Sequence, residues 1–360
     1  MHKPKASDVS SITAEIDAVD SEVLSLVQRR SQLVQDLFRS SNGGIVGRVA
    51  DAAARIDSLV DADGEATGLS PESKAELLKH ISSVCLQQLH TTRAAFLGPV
   101  HSYSHLAAIK YFGDGIALSS VASIPAVFDA VLRGDAATGI VPIENSTDGR
   151  VVDTLGMFVR REMQICGEVL LPIHHCLLST TPRNEIVEVH SKPQALSQCR
   201  KWLASQLPQA RLIEIGSTAA AAELAAKKKG VAAVASLQAG RAYGLDVIDE
   251  NIEDNPNNVT RFAVLGREQR PATGDDKTAL LLQVTHQPGA LADVMNIFKN
   301  ESLNLTWIES FPAIDKPSEY LFFIELTGHR TDAGVTKALA TLEEQTERLD
   351  VLGSYPRARL

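Results

Sequence analysis

Residues 139–155 read GIVPIENSTDGRVVDTL, and this stretch constrains the fold more than any other part of the chain. Its first three residues close a short apolar run, which is typical of a buried parallel strand. Asp148-Gly149 is a turn signal, and residues 151–159 resume with the apolar spacing of a helix. Polar groups between a strand and a helix indicate either a small-molecule site in an open α/β sheet or an ordinary polar loop. Those polar groups are Glu144, Asn145, Ser146 and Thr147.

Composition limits the class of protein. The 360 residues are 44% hydrophobic and 22% charged, as expected for a globular protein with two or three domains. The net charge of −9 argues against a nucleic-acid or anionic-membrane partner. The sequence contains neither a membrane-spanning apolar run nor an N-terminal signal-peptide pattern. Because the four cysteines lack CxxC spacing, we expect reduced, buried thiols and a cytoplasmic protein.

Helical periodicity dominates the N-terminal quarter of the chain. Apolar residues recur at three- and four-residue steps over residues 12–37, which predicts one long amphipathic helix ending at residues 42–44. A second helical run covers residues 46–60. Ser70 followed by Pro71 predicts the N-cap and first turn of a third helix. Three helices of such unequal length suggest a partner chain that completes the bundle, so we expect a homodimer or homotetramer.

Residues 12–30, ITAEIDAVDSEVLSLVQRR, resemble the first helix of the small all-helical chorismate mutases, which typically reads LR-x-x-ID-x-LD…LL-x-x-R. The resemblance implies a dicarboxylate site built from several cationic residues of two chains. Arg30 (or its neighbour Arg29) and Gln87 match the family pattern, whereas the other positions hold small neutral residues. A dianion bound by so few cations should bind poorly. We therefore expect residues 1–92 to be a helical domain that has lost mutase activity and serves a structural or dimerising role.

From residue 93 onward the pattern alternates between short apolar strands and helices. Strands are predicted at residues 94–97, 139–143 and 169–178, the last across a change of lobe. One helix is predicted from Pro193 to about Leu207. Repeated strand–helix units with two crossings between segments predict two α/β lobes with a cleft between them.

Seven blocks of residues 94–266 resemble prephenate dehydratases, in the same order as in that family. They read AFLGP…YSHLAA, GIVPIENSTDGRVVDTL, LPIHHCLL, KPQALSQC, GSTAAAAELA, VASLQAGRAYGL and NIEDNPNNVTRFAVLG. The resemblance implies that residues 93–267 form a two-lobed domain like the periplasmic binding proteins, with its site in the cleft. It also implies decarboxylating dehydration of prephenate to phenylpyruvate, in L-phenylalanine biosynthesis, with no cofactor.

The same resemblance assigns roles to individual residues. Thr260, in the Thr-Arg-Phe signature, would hydrogen-bond or protonate the leaving hydroxyl group. The first loop departs from the family pattern, because His101 stands where glycine would allow close backbone approach. The residues expected to contact the substrate are Glu144, Asn145, Ser146, Thr147, Ser102, Ser217, Thr218, His175, Gln194 and Arg261.

His174-His175-Cys176 also raises the possibility of a metal site. Adjacent strand residues point to opposite faces, and no carboxylate cluster accompanies them in the sequence. We therefore expect no metal.

Residues 277–356 follow a polar linker and show the order βαββαβ, which predicts a ferredoxin-like α+β domain. They resemble the ACT regulatory domain, in which phenylalanine binds at a domain interface and inhibits. Phe311 departs from the family's Glu-Ser-Arg-Pro motif, which puts the effector response in question. Dimerisation through edge strands is the other role considered. The matching effector positions are Gly289, Ala290, Leu291, Glu309 and Ser310.

Together these patterns predict a multidomain enzyme with an all-α helical domain, a two-lobed α/β catalytic domain and an ACT domain. Three alternatives stay open at this point. The first is a fully bifunctional chorismate mutase/prephenate dehydratase, and the second is an arogenate dehydratase, whose substrate differs by an amine. The third is a ligand-binding sensor without chemistry, against which the complete Thr-Arg-Phe block argues.

Overall fold

The structure is a computed structural model that describes residues 6–40, 56, 59–60, 68–87, 93–113, 116–312 and 320–360. The chain divides into two compact units, residues 1–92 with 112–117 and residues 93–111 with 118–360. In the described part the helices are α1 (Ala6–Ser40), α2 (Pro71–Gln87), α3 (Tyr103–Phe112), α4 (Ile124–Arg133), α5 (Val152–Arg160), α6 (Pro193–Gln198), α7 (Arg200–Gln206), α8 (Thr218–Lys227), α9 (Leu237–Tyr243), α10 (Ala290–Asn300) and α11 (Ala333–Gln345).

The strands of the described residues form three sheets. They are β1 (Arg93–Leu97), β2 (Ala117–Val121), β3 (Thr138–Asn145), β4 (Gly149–Arg150), β5 (Gln164–Pro172), β6 (Cys176–Ser179), β7 (Glu188–Ser191), β8 (Arg211–Glu214), β9 (Val231–Ala235), β10 (Asp246–Asp249), β11 (Val259–Gly266), β12 (Asp276–Gln283), β13 (Leu305–Pro312), β14 (Tyr320–Thr327) and β15 (Arg348–Pro356).

The N-terminal unit contains the long helix that the sequence predicts. Helix α1 runs for 35 residues, and α2 begins at Pro71 as expected, with Ser70 Oγ accepting the Ser73 N–H at 3.2 Å. The predicted second helix lies mostly outside the described residues, as does the predicted end of α1 at residues 42–44. Much of the apolar stripe of α1 is exposed, including Ile12, Ile16, Val19, Val23, Leu26 and Leu33.

The first lobe is built on the sheet β2-β1-β3-β11-β5, with β4 paired to β3. Strand β3 is parallel to β1, as the sequence predicts, but β11 is antiparallel to both β3 and β5, so the sheet is mixed. Helices α4 and α5 cover one face through Val127, Phe128 and Phe158. Gly139 permits this packing, because a β-carbon there would lie 2.6 Å from Val127 Cγ1.

The second lobe is the sheet β10-β6-β9-β7-β8, covered by helices on both faces. The strand predicted at residues 169–178 is wrong as one element. It is two strands, β5 in the first sheet and β6 in the second, joined by residues 173–175, which cross between the lobes. The helix predicted from Pro193 to Leu207 is likewise two helices, because the backbone leaves the helical conformation at Cys199 (φ −111°, ψ 14°).

Strands β12 to β15 with helices α10 and α11 form what we call the βαββαβ unit. Its sheet has the order β13-β14-β12-β15, and each of these three neighbouring pairs is antiparallel. One face packs on α10 and α11, and the other joins the core of the first lobe through Leu281, Phe323 and Tyr355. Strand β15 lies so close to β5 that a β-carbon at Gly353 would overlap the Ile165 carbonyl. Among the described residues, no helix is both long enough and apolar enough to cross a membrane.

Candidate active site

A cavity of about 710 Å³ lies between the two lobes. The first lobe contributes the ends of β3 and β11 and the loop after β1, and the second lobe contributes the helix starts that follow β7 and β8. The predicted site residues that line this cavity are Ser102, Asn145, His175, Gln194, Ser217, Thr218 and Thr260.

Thr260 and Asn145 face each other across the antiparallel pair of β11 and β3. The Asn145 side-chain amide donates to Thr260 Oγ1 at 2.8 Å and to Asn258 Oδ1 at 2.9 Å. The Asn145 oxygen accepts the backbone N–H groups of Thr147 and Asp148 at 2.9 and 3.0 Å, which fixes the orientation of the amide. Because Thr260 Oγ1 is thereby an acceptor from Asn145, its own proton is free to be donated into the cavity.

His175 reaches the cavity from the segment that crosses between the lobes. Gln198 donates through Nε2 to Asp148 Oδ2 at 2.9 Å, so the Gln198 oxygen faces His175 Nε2, 3.0 Å away. Because the Gln198 oxygen can only accept, His175 Nε2 is the donor of this pair. The Tyr103 hydroxyl donates to the His174 carbonyl at 2.7 Å and lies 2.9 Å from His175 Nδ1. Burial lowers the pKa of His175, and burial raises the pKa of Tyr103 well above its usual value, so both side chains are neutral near pH 7.

Arg261 and Glu144 do not line the cavity, which corrects the expectation that they contact the substrate. Successive residues of a strand point to opposite faces of the sheet. Because Thr260 and Asn145 point into the cavity, their neighbours Arg261 and Glu144 point away from it. Arg261 Nε donates to Glu144 Oε2 at 3.0 Å, and its NH1 donates to Glu325 of the βαββαβ unit at 2.6 and 2.7 Å. Burial would lower the pKa of Arg261, but Glu325 and the other acidic neighbours raise it overall.

Ser146 and Thr147 also lie outside the cavity lining. Ser146 Oγ accepts the Val259 N–H at 2.9 Å and lies 3.4 Å from Asn258 Oδ1, so it holds the hairpin between β3 and β4 against β11. Thr147 is exposed on that turn. Both residues shape the turn around Asn145 and do not face the cavity.

The loop after β1 keeps a glycine-like shape despite the departure at His101. His101 has φ +65°, and its N–H donates to His105 Nδ1 at 3.1 Å. Ser102 Oγ accepts the His105 N–H at 3.4 Å, which caps α3, and donates to the Leu97 carbonyl at 3.3 Å. The left-handed conformation that the family glycine would favour is therefore adopted here by histidine.

The second lobe presents helix starts to the cavity. Ser217 is the N-cap of α8 and accepts the Ala220 N–H at 3.0 Å. Thr218 is buried and Gln194 is exposed where they line the same cavity. Free N–H groups and the helix dipole favour an anion at such a place.

Sequence reasoning missed several cavity residues, namely Tyr103, Asp148, Arg150, Lys192 and Gln198. Each one lies within one of the seven blocks that resemble the family. The missing signal was the strand and helix geometry that decides which members of a block point inward.

The histidine pair behaves differently from its sequence interpretation. His174 and His175 follow β5 and are not in a strand, so the alternation argument does not apply to them. Glu253 contacts both residues, through His174 Nδ1 at 2.7 Å and the His175 N–H at 2.8 Å. Within the described ranges, no group of three His, Cys, Asp or Glu side chains could hold a metal ion.

The remaining predicted residues lie outside this cavity. In the N-terminal unit, Arg30 NH2 donates to Ser82 Oγ at 2.7 Å, and the Gln87 side chain lies outside the described residues. In the βαββαβ unit, the predicted effector positions fall at two places. Gly289, with φ +91°, Ala290 and Leu291 form the start of α10, and Glu309 and Ser310 lie on β13.

Fold and site together define a two-lobed α/β protein with a polar small-molecule cavity at the lobe junction. Residues 94–270 match the prephenate dehydratase family. The chain is 35% identical over 365 residues to a bifunctional chorismate mutase/prephenate dehydratase of Stutzerimonas stutzeri, covering 99% of this chain and 100% of the relative. It is 37% identical over 358 residues to the protein so named in Aquifex aeolicus, covering 98% and 99%.

Among solved structures, the chain resembles a prephenate dehydratase from Arthrobacter aurescens in complex with L-Phe. The TM-score is 0.70 and the identity 32%, covering 74% of this chain and 90% of the other. The chain therefore belongs to the bifunctional chorismate mutase/prephenate dehydratase family.

Proposed function

We propose that this protein is a prephenate dehydratase, which converts prephenate to phenylpyruvate, carbon dioxide and water in L-phenylalanine biosynthesis. The substrate dianion takes up one proton as its ring loses the carboxylate and the hydroxyl group. Aromatisation drives the step, so the enzyme has to orient the dianion and stabilise the departing oxygen. Within the described cavity, no nucleophile or metal is needed for this chemistry.

The observation that carries the proposal is the hydrogen bond from Asn145 Nδ2 to Thr260 Oγ1. It directs the Thr260 proton toward the cavity, where the leaving hydroxyl group would accept it. Asn145 and Thr260 contribute neutral hydrogen-bonding groups to this part of the lining. A donor oriented in advance toward developing negative charge is an efficient way to lower such a barrier.

The other parts of the chain are included in the proposal by family membership. Residues 277–356 act as an ACT domain that binds L-phenylalanine, in keeping with the L-Phe complex of the Arthrobacter aurescens protein. Residues 1–92 are proposed to retain little mutase activity, because few of the expected cations are present. The protein is proposed to act in the cytoplasm as a homodimer or homotetramer, without nucleic acid or membrane partners.

Two assays on one purified sample test the proposal. One assay measures phenylpyruvate formation from prephenate, and the other measures loss of chorismate. Activity on prephenate alone supports a dehydratase with an inactive helical domain, whereas activity on both shows a bifunctional enzyme. Activity on neither contradicts the proposal, and arogenate turnover or calorimetric binding of prephenate without turnover then separates the remaining alternatives. A phenylalanine titration followed by activity and sedimentation tests the effector role.

A further inference from the structure

The cavity is lined by charged side chains as well as neutral ones. Among the described residues that line it, the cationic side chains are Arg150 and Lys192. Arg150 belongs to the first lobe, on β4, and Lys192 to the second, between β7 and α6. The two cations therefore come from opposite sides of the cleft.

Lys192 forms no ion pair with any other described residue, although it lies in the lining. It follows β7, whose neighbour β8 runs parallel and leads into Gly216 and Ser217. Since the carboxyl ends of parallel strands meet at one edge of a sheet, Lys192 and the start of α8 are adjacent there. The hydrogen bond from the Ile215 N–H to the Ser191 carbonyl, at 2.9 Å, ties the two segments together.

Arg150 already has an anionic partner. Its NH1 donates to Glu309 Oε2 at 2.5 Å, with side-chain exposures of 43% and 22%. Glu309 is not a lining residue and belongs to β13 of the βαββαβ unit. The guanidinium thus lies at the boundary between the cavity and this unit, where a second carboxylate on the cavity side would compete with Glu309.

We propose that Arg150 and Lys192 each bind one carboxylate of a dicarboxylate ligand that spans the two lobes, and that Glu309 competes with this ligand for Arg150. The inference rests on the proposed function, for which the ligand is the prephenate dianion. Two separated carboxylates entering a partly desolvated cleft need compensating cations, and one cation on each lobe supplies them. Arg150 is in addition a direct ionic contact between the cavity and the βαββαβ unit.

Kinetics of three variants with prephenate test the proposal. Arg150→Gln and Lys192→Gln should each raise KM about tenfold or more with kcat much less affected, because charge-assisted hydrogen bonds contribute to ground-state binding. Glu309→Gln should lower KM several-fold, and this gain should disappear in the Arg150→Gln background. Arg160→Gln and Lys201→Gln remove exposed cations outside the lining and serve as matched controls.

Calorimetry with cyclohexane-1,4-dicarboxylate and cyclohexanecarboxylate separates this inference from the proposed function. The full chain should bind the dicarboxylate more tightly, and Arg150→Gln and Lys192→Gln should each reduce that preference, whether or not prephenate is turned over. An unchanged KM together with an unchanged preference in both variants would overturn the inference. An equal gain from Glu309→Gln with and without Arg150 would overturn the competition. Circular dichroism verifies that each variant is folded.

Discussion

The two faces of the β3–β11 strand pair differ sharply in charge. The face toward the cavity presents a hydroxyl and an amide, Thr260 and Asn145. The opposite face, one residue away along each strand, presents Arg261 and Glu144, which pair with each other at 3.0 Å. The difference teaches that adjacent residues of one motif can face separate surroundings, one the cavity and the other the βαββαβ unit.

The charged face is stabilised by a network that the cavity face does not share. Arg261 NH1 contacts Glu325 and Glu168, and its guanidinium lies 4.6 Å from the ring centroid of Trp307 on β13. Lys277 pairs with Glu168 at 3.0 Å. Because a buried charge without its partner is costly, this network favours the arrangement in which the βαββαβ unit stays packed on the first lobe.

The strongest test of the cavity face removes the Thr260 hydroxyl. Thr260→Val should lower kcat about 10²- to 10⁴-fold, the range for loss of a positioned proton donor. The free energy of unfolding should change little, because the Asn145 amide keeps its hydrogen bond to Asn258 at 2.9 Å. Steady-state assays with prephenate and urea denaturation measure the two effects. Thr260→Ser is the control that retains the hydroxyl, and a Thr260→Val enzyme with normal kcat would remove Thr260 from the mechanism.

A substitution on the opposite face should mainly lower the free energy of unfolding. Arg261→Met keeps much of the side-chain volume but leaves Glu325 without its cation and Glu168 with Lys277 alone, so we expect a loss of about 3–5 kcal/mol in the free energy of unfolding. Arg161→Met, which breaks an exposed pair with Asp129, should cost less than about 1 kcal/mol. Denaturant titrations of both variants give the comparison. Equal, small losses would show that the buried network contributes little.

A smaller effect is expected in the pH dependence of the free energy of unfolding. Burial lowers the pKa of His175, although Gln198 and Glu253 oppose this shift. The unfolded state therefore binds a proton near the ordinary histidine pKa of about 6.5 while the folded state resists it, so stability falls as the pH drops below that value. His175→Gln should make this fall shallower between about pH 6.5 and 5.

The titration of Glu253 does not overlap the pH range in which His175 affects stability. Burial raises its pKa, but hydrogen bonds from His174 and the His175 backbone lower it overall. A carboxyl group with a depressed pKa loses its contribution only as the pH falls through that lower value, below the range set by His175. Thermal unfolding of both proteins across this range provides the measurement. Parallel curves for the original and the variant would show that His175 does not control the acid limb.

Local patterns were predicted well wherever one segment contains its own explanation. The N-cap at Ser70, the long helix α1 and the apolar strand leading to Asn145 follow from short-range periodicity and capping chemistry. The division of residues 169–178 could not be read this way. Both halves are apolar, and only pairing with β11 in one sheet and β9 in the other separates them.

The sequence by itself determined the family, the order of the elements and the blocks in which the site residues lie. Tertiary structure alone decided which members of those blocks face the cavity. Arg261 was expected in the site and turns to Glu325, whereas Arg150 and Lys192 were overlooked and line the cleft. The physical reason is that a charge acts through its distance to partners, and those distances depend on contacts between segments more than a hundred residues apart, such as Arg150 and Glu309.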